Sequence, residues 1–447
     1  MPLITTLANI SARGYGFFRS TFVAFTNFIV LTVAESGTLV NQMYIPMAAP
    51  SGNIYVVGGA RNGGITASSG EINKTDSTGT TLWQITNDPA TGTGVGQFQY
   101  ADMDSTEAIY GMAYIPTSLS LVQLVKTNGD GTWGWAKQFT PATAGDDWVG
   151  PVAVDRVTDT IHTATRTLRT TGVNHYGLFK AYNTSGTLLW QRMLNQPAAL
   201  DVQPLLSRTD TAGNVYHFCQ TQNATPAAIL SIVKYNSSGA VQFQKSILGA
   251  IIRGAVFAPS GNVYLMLCNS TTSQIVMKLN SAWTIQWSKK LSTTPVGTGQ
   301  IKMCLDADEN IYVCGGSNTT EQLIKYDTNG NFQFSRQFTM NAVAQTASSV
   351  DITSDGQLFV TLLQSGNRDF ASAMKVPLDG TKTATYTIGG KTLIYSNGTV
   401  TDGGTDATFS VITDTYLTEI AGTMPADSSR TSGFRTPNPQ VMTSLVI

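Results

Sequence analysis

The chain has 447 residues, a net charge of -1 and only 12% charged residues, about half the usual globular share, against 42% hydrophobic residues. So flat a balance sets up no field to attract nucleic acid or an anionic membrane surface, and neither is an expected partner. Cys219, Cys268, Cys304 and Cys314 show no CxxC spacing and lie on or beside apolar stretches, which suits reduced, buried thiols better than a zinc site or a disulfide framework.

Residues 1–27 have no repeat partner and hold Leu3, Ile4, Leu7, Ile10, Tyr15, Phe17 and Phe18, an apolar strip that a monomer would leave exposed. The run over residues 17–34 contains Arg19, Thr21, Thr26, Asn27 and Thr32, so it is too polar and too short to span a bilayer. The polar residues after Ala34 allow a signal-peptide reading, but the run is β-prone, with residues 28–33 its best strand.

From residue 44 to residue 387 one motif recurs seven times: Lys, turn residues, Gly, three residues, an aromatic. The copies are KTDSTGTTLW (74–83), KTNGDGTWGW (126–135), KAYNTSGTLLW (180–190), KYNSSGAVQF (234–243), KLNSAWTIQW (278–287), KYDTNGNFQF (325–334) and KVPLDGTKTA (375–384). The Lys-to-Lys steps run from 44 to 54 residues, the period of a four-stranded propeller blade. Three copies deviate. The third has an extra residue, the fifth has Trp283 where the others have Gly, and the seventh ends on Ala384 instead of an aromatic.

A second motif, a tight turn entering a strand, lies about twenty residues upstream, as in SGNIYVVG (51–58), AGNVYHF (212–218), SGNVYLM (260–266), ENIYVCG (309–315) and DGQLFV (355–360). Two motifs keeping one period predict an all-β chain: a seven-bladed β-propeller with an N-terminal arm (1–43) and a C-terminal β extension and tail (388–447). Trp83, Trp135, Trp190, Phe243, Trp287 and Phe334 then fall in the fourth strand of each blade, where they pack between blades. The seventh blade lacks that aromatic, so residues 28–33 are expected to close it from outside its own repeat. Beyond it, strands are expected near 392–396, 399–402 and 408–413, followed by an extended tail from 421.

His162 and His217 occupy second strands and read as core packing; His175 lies in a loop beside Tyr176. Asp306, Asp308 and Asn310 have the alternate-oxygen spacing of a calcium loop but sit in a tight turn and lack its downstream Glu, so no metal is expected. No GxSxG, P-loop or HExxH occurs, and neither enzymatic activity nor a cofactor is expected. The turns at one end of the blades are short and the connections at the other are longer, which makes the loop face the binding face, with Trp148, His175, Tyr176, Arg368 and Phe370 its candidate residues.

The Lys74-type motif resembles the repeats of pyrroloquinoline-quinone-like and related bacterial propellers, in which a turn glycine precedes a docking tryptophan. Quinoprotein dehydrogenases add an adjacent cysteine pair; no two cysteines here are adjacent, so the resemblance extends to architecture alone. The opening, MPLITTLANISARGYGFF, resembles that of tail and other virion proteins of tailed bacteriophages, through Ser11, Ala12, Arg13, Gly14, Tyr15 and Gly16. That resemblance implies a non-enzymatic virion protein, tail or tail-fibre associated. Its assembly arm would include Arg13 to Phe18, its partners would be other virion proteins in a homo-oligomer or symmetric assembly, and its loop face would attach to host-surface glycan or protein. A bacterial surface or secreted propeller that binds glycans or proteins is the alternative.

Overall fold

The computed structural model describes residues 28–33, 39–62, 68–87, 98–115, 121–139, 149–168, 175–195, 201–221, 229–268, 273–292, 303–315, 322–340, 343–364, 370–388, 391–405, 409–413, 417–420, 428–430, 434–435 and 441–446. Every regular element among them is a β-strand. Seven antiparallel blades follow one another, spanning 39–87, 98–139, 152–195, 202–248, 251–291, 304–340 and 343–376. The last has only three strands of its own. Its fourth is Phe28–Val33, which pairs antiparallel with Phe370–Val376 in the register Phe28↔Lys375 to Val33↔Phe370. The closing strand is thus the one expected.

The repeated turn is built from local chemistry. In blade four, Gly239 N donates to Asn236 O and Asn236 N to Ala240 O, a turn that needs a left-handed residue at its third position. Gly239 supplies it at φ +77°. Asn236 Oδ1 accepts from the Ser238 and Ala240 amides, and Asp76, Asn183, Asn280 and Asp327 do the same in their blades. In these five blades the side-chain oxygen at this position serves the turn itself.

That glycine has a second task. The aromatic of one blade lies on the turn glycine of the next: Trp83 on Gly131, Trp135 on Gly186, Trp190 on Gly239, Trp287 on Gly330 and Phe334 on Gly380, each so close that a Cβ would meet ring carbons at 2.7–3.1 Å. The motif lysine reaches across the same seam. Lys74 Nζ donates to Gly129 O, Lys126 to Thr184 O, Lys278 to Thr328 O and, across the closing seam, Lys375 to Ser77 O at 3.1 Å. The indole N–H groups of Trp135, Trp190 and Trp287 donate to the same turn carbonyls or their equivalents. Lysine, glycine and aromatic recur together because they form one blade-to-blade joint.

The two irregular copies obey the same geometry. Trp283 stands at φ +64° where the other turns have Gly, and the aromatic facing it is the smaller Phe243, edge-on at 5.4 Å. Trp190 pairs with Ala181, one residue on from the lysine position used elsewhere. Lys180 consequently faces the other side of its sheet and lies over the Phe139 ring of blade two. Among these blade aromatics Trp190 is fully seated, 7% exposed, with His162 and Tyr235 against its faces.

The C-terminal segment departs from the expected extension and tail. Ala384–Ile388 leaves blade seven and forms a hairpin with Lys391–Asn397, which pairs along the outer strand of blade six. Short strands then dock on successive outer strands in reverse order: Asp402–Thr405 on blade five, Val411–Thr413 on four, Thr418–Ile420 on three, Ser428–Arg430 on two and Phe434–Arg435 on one. Val441–Val446 ends the circuit on Phe28–Val33 itself. A belt therefore gives every blade a fifth strand. Buried pegs seat it, Val400, Phe409 and Leu417, each just ahead of its strand. The strand expected at 399–402 begins at 402 because Val400 is a peg, its amide and that of Thr399 donating to Gln322 Oε1. Within the stretch expected to trail, 428–430, 434–435 and 441–446 pair instead because their backbone finds open strand edges.

Candidate binding face

In blades one to six the first and second strands, and the third and fourth, are joined by the tight turns, as are the first two strands of blade seven, so those turns share one end of the ring. That end is held by repeated carboxylate networks. In blade six Asp306 accepts from the Asp308 and Asn310 amides, from Asn310 Nδ2 and from Tyr312 Oη, with Lys325 Nζ 3.9 Å away. Blade four repeats this with Asp210, Tyr216 and Lys234. The calcium-like spacing is hence a turn network whose oxygens are taken up by protein donors. Blades one and five have Ala49 and Ala258 at the equivalent position and borrow a carboxylate from the next blade. Glu107 receives Tyr55, Asn53 and Lys74, and Glu309 receives Tyr264, Asn262 and Lys278. Burial opposes ionisation of both acids, yet these donors hold each carboxyl below its usual range.

Toward the ring's interior, first-strand charges tie neighbouring blades. Asp102 accepts from Val154 N and Arg156 Nη2, Asp351 from Ala48 N, and Arg208 Nε donates to Ala255 O. These groups are engaged in holding the ring together.

At the opposite end, where the longer connections lie, three of the five candidate residues can be placed. His175 and Tyr176 are not in a loop: they begin the strand His175–Tyr182, and His175 pairs with Leu168, because the strands of this hairpin run on past the expected connection. Trp148 and Arg368 fall outside the described residues, as do the arm residues Arg13, Gly14, Tyr15, Gly16, Phe17 and Phe18. Phe370 begins the strand Phe370–Val376, opposite Val33.

His175 belongs to a constellation spanning blades three and four. Asp201, at the start of blade four, accepts from His175 N at 2.8 Å and lies 2.9 Å from His175 Nδ1, while Arg166 Nη1 is 3.5 Å from its other oxygen. Nε2 is buried and has no hydrogen-bond partner among the described residues. The site presents an imidazole fixed through Nδ1 to Asp201, which also holds a guanidinium. Sequence reasoning missed Asp201 and Arg166 because neither has a spacing signal relative to His175.

The other histidines are core groups, as expected. Burial drives His162 down to about 3 and His217 well below its ordinary value, so both rings are neutral; His217 Nδ1 lies 2.7 Å from Ser207 Oγ and its ring packs on Phe179 at 4.5 Å. The four cysteines are free and buried. One acid stands apart: Glu71, in the third strand of blade one, is raised by burial to about 7 against a hydrogen bond from Gln84, and its Oε2 has no partner among the described residues. Among the described residues no three His, Cys, Asp or Glu side chains group as metal ligands, and no helix is long and apolar enough to cross a membrane.

No family model and no curated protein matches the chain. Solved structures similar to it include a protein of unknown function from Bacteroides caccae (12% identity, TM-score 0.34, 60% of this chain and 94% of that one). A variant of the NanB sialidase from Streptococcus pneumoniae is 11% identical, with a TM-score of 0.43 over 76% of this chain and 68% of that one. Prolyl oligopeptidase B from Galerina marginata is 9% identical, with a TM-score of 0.46 over 80% of this chain and 56% of that one.

Proposed function

We propose that the chain is a structural, non-catalytic protein of a bacteriophage virion, tail or tail-fibre associated, tethered by residues 1–27 and binding a virion neighbour or the host surface through its loop face. The supporting observation is the register of the closing strand. Phe28 stands opposite Lys375, next to the tight turn after Val376, and Val33 stands opposite Phe370 at the loop end. The segment with the phage-like opening therefore joins the propeller on its tight-turn side. Tether and binding face lie at opposite ends of one rigid ring, an arrangement suited to displaying loops away from a particle.

The test is composition of purified particles. Mass spectrometry of virions from the phage encoding this chain should find it at stoichiometric copy number, and antibody labelling should place it on the tail. Deleting residues 1–27 should leave a folded propeller with an unchanged melting temperature that no longer enters particles. Absence of the full-length chain from virions would overturn the proposal.

A further inference from the structure

The belt covers only part of each outer strand. On blade three it pairs with Met193, Leu194 and Asn195, and on blade four with Lys245, Ser246 and Ile247, the halves next to the loop face. Among the described residues the tight-turn halves, 188–192 and 241–244, have no strand on their outer edge. An open edge of this kind is a template for another strand.

The same two half-edges expose apolar side chains. Of the seven large hydrophobic side chains exposed among the described residues, three lie on them: Leu188, Leu189 and Val241. The two edges adjoin, because Trp190 of blade three sits on Gly239 of blade four, two residues from Val241. Leu189 is 50% exposed directly beside that joint.

We propose that this edge receives residues 1–27 of a second copy, which add a strand to the outer edge of blade three or four on the tight-turn side. This deepens the assembly role given to the arm above. The arm joins its own propeller at Phe28, on blade seven, also on the tight-turn side. Blades three and four are each three blades away from it around the ring. The belt needs 6 to 10 residues from the start of one of its strands to the next between blades five and one. The arm's own chain would thus use most of 27 residues in transit, whereas a neighbouring copy can present the arm directly. Donor and acceptor are different surfaces, so the contact is heterologous and propagates head to tail into a ring or a fibre.

The experiment uses the full chain over a concentration series, with light scattering for mass and hydrogen exchange for the edge amides, beside Leu189→Arg and Val241→Arg, both at exposed positions. The expected result is concentration-dependent association, slowed exchange at 188–192 and 241–244 in the associated form, and variants that stay monomeric with an unchanged melting temperature. A chain that stays monomeric with fast-exchanging edges overturns the proposal, as does association indifferent to both substitutions. Edge protection already present in the monomer would assign the site to the chain's own arm and overturn it too. Virion membership is separable: particles that contain the chain although it fails to self-associate keep that role and remove this contact.

Discussion

Replacing Phe243 with Trp would put a larger ring against Trp283, the one turn position without a glycine among the joints described above. Trp on Gly occurs at four joints, Phe on Gly at one and Phe on Trp at one; Trp on Trp does not occur among them. Trp283 is only 5% exposed and Tyr216 and Phe243 already flank it, so the added ring has no free volume. Overpacking of this kind costs about 1–3 kcal/mol. Trp283→Gly alone removes a buried aromatic, at about 3–5 kcal/mol, offset by about 1 kcal/mol for relief of a left-handed non-glycine residue. The double variant rebuilds the Trp-on-Gly joint found at Trp190 and Gly239. Denaturant unfolding of the four proteins should therefore give a coupling of about 2 kcal/mol or more, with the double variant more stable than the two losses added. Losses that add to within about 0.5 kcal/mol would refute the reasoning, because the two positions would then be independent.

Trp190→Ala should cost about 3–5 kcal/mol, since it empties a seat lined by His162, Tyr235 and Gly239; a melting curve decides. Lys375→Met leaves Asp355 and Ser77 O without their partner at the closing seam, and should cost about 3 kcal/mol while speeding exchange at the amides of blades seven and one before the other blades. Glu71 gives a pH signature. Its folded pKa of about 7 lies above the 4.5 of a free glutamate, so its contribution is fully present below pH 4.5 and is lost as pH rises through 7, about 3 kcal/mol in all. Glu71→Gln should leave stability near pH 4 unchanged and raise it at pH 8, and equal effects at both pH values would contradict the assignment.

The ring was legible because its joint is periodic. Lys74, Gly131 and Trp83 serve one contact, and each must recur whenever that contact does. The closing strand was legible for a complementary reason: Ala384 breaks the pattern at the position where an outside strand is required. Two belt strands, Lys391–Asn397 and Val411–Thr413, were legible, but the path of the belt was not. Its strands over blades one to five are two to four residues long, too short for a period-2 pattern, and each pairs through backbone with a strand remote in sequence. Pegs such as Phe409 look like any loop hydrophobe until the seam that accepts them is known. His175 was singled out, but not as the start of a strand, and Asp201 and Arg166 joined it only through the adjacency of blades three and four. Trp283 read as an exception, whereas its compensation by Phe243 depends on one blade's aromatic resting on the next blade's turn.

The central claim is a seven-bladed ring strapped in reverse order by its own C-terminal segment. Hydrogen exchange on the full chain and on a chain ending at residue 397 tests it most directly, read at the outer-strand segments 136–138, 193–195 and 245–247, where the belt pairs. The account predicts slow exchange there in the full chain and a rise in all three segments on truncation, while the third strands, such as Ile229–Tyr235, stay protected. Fast exchange at those segments in the full chain, or no change on truncation, would contradict it.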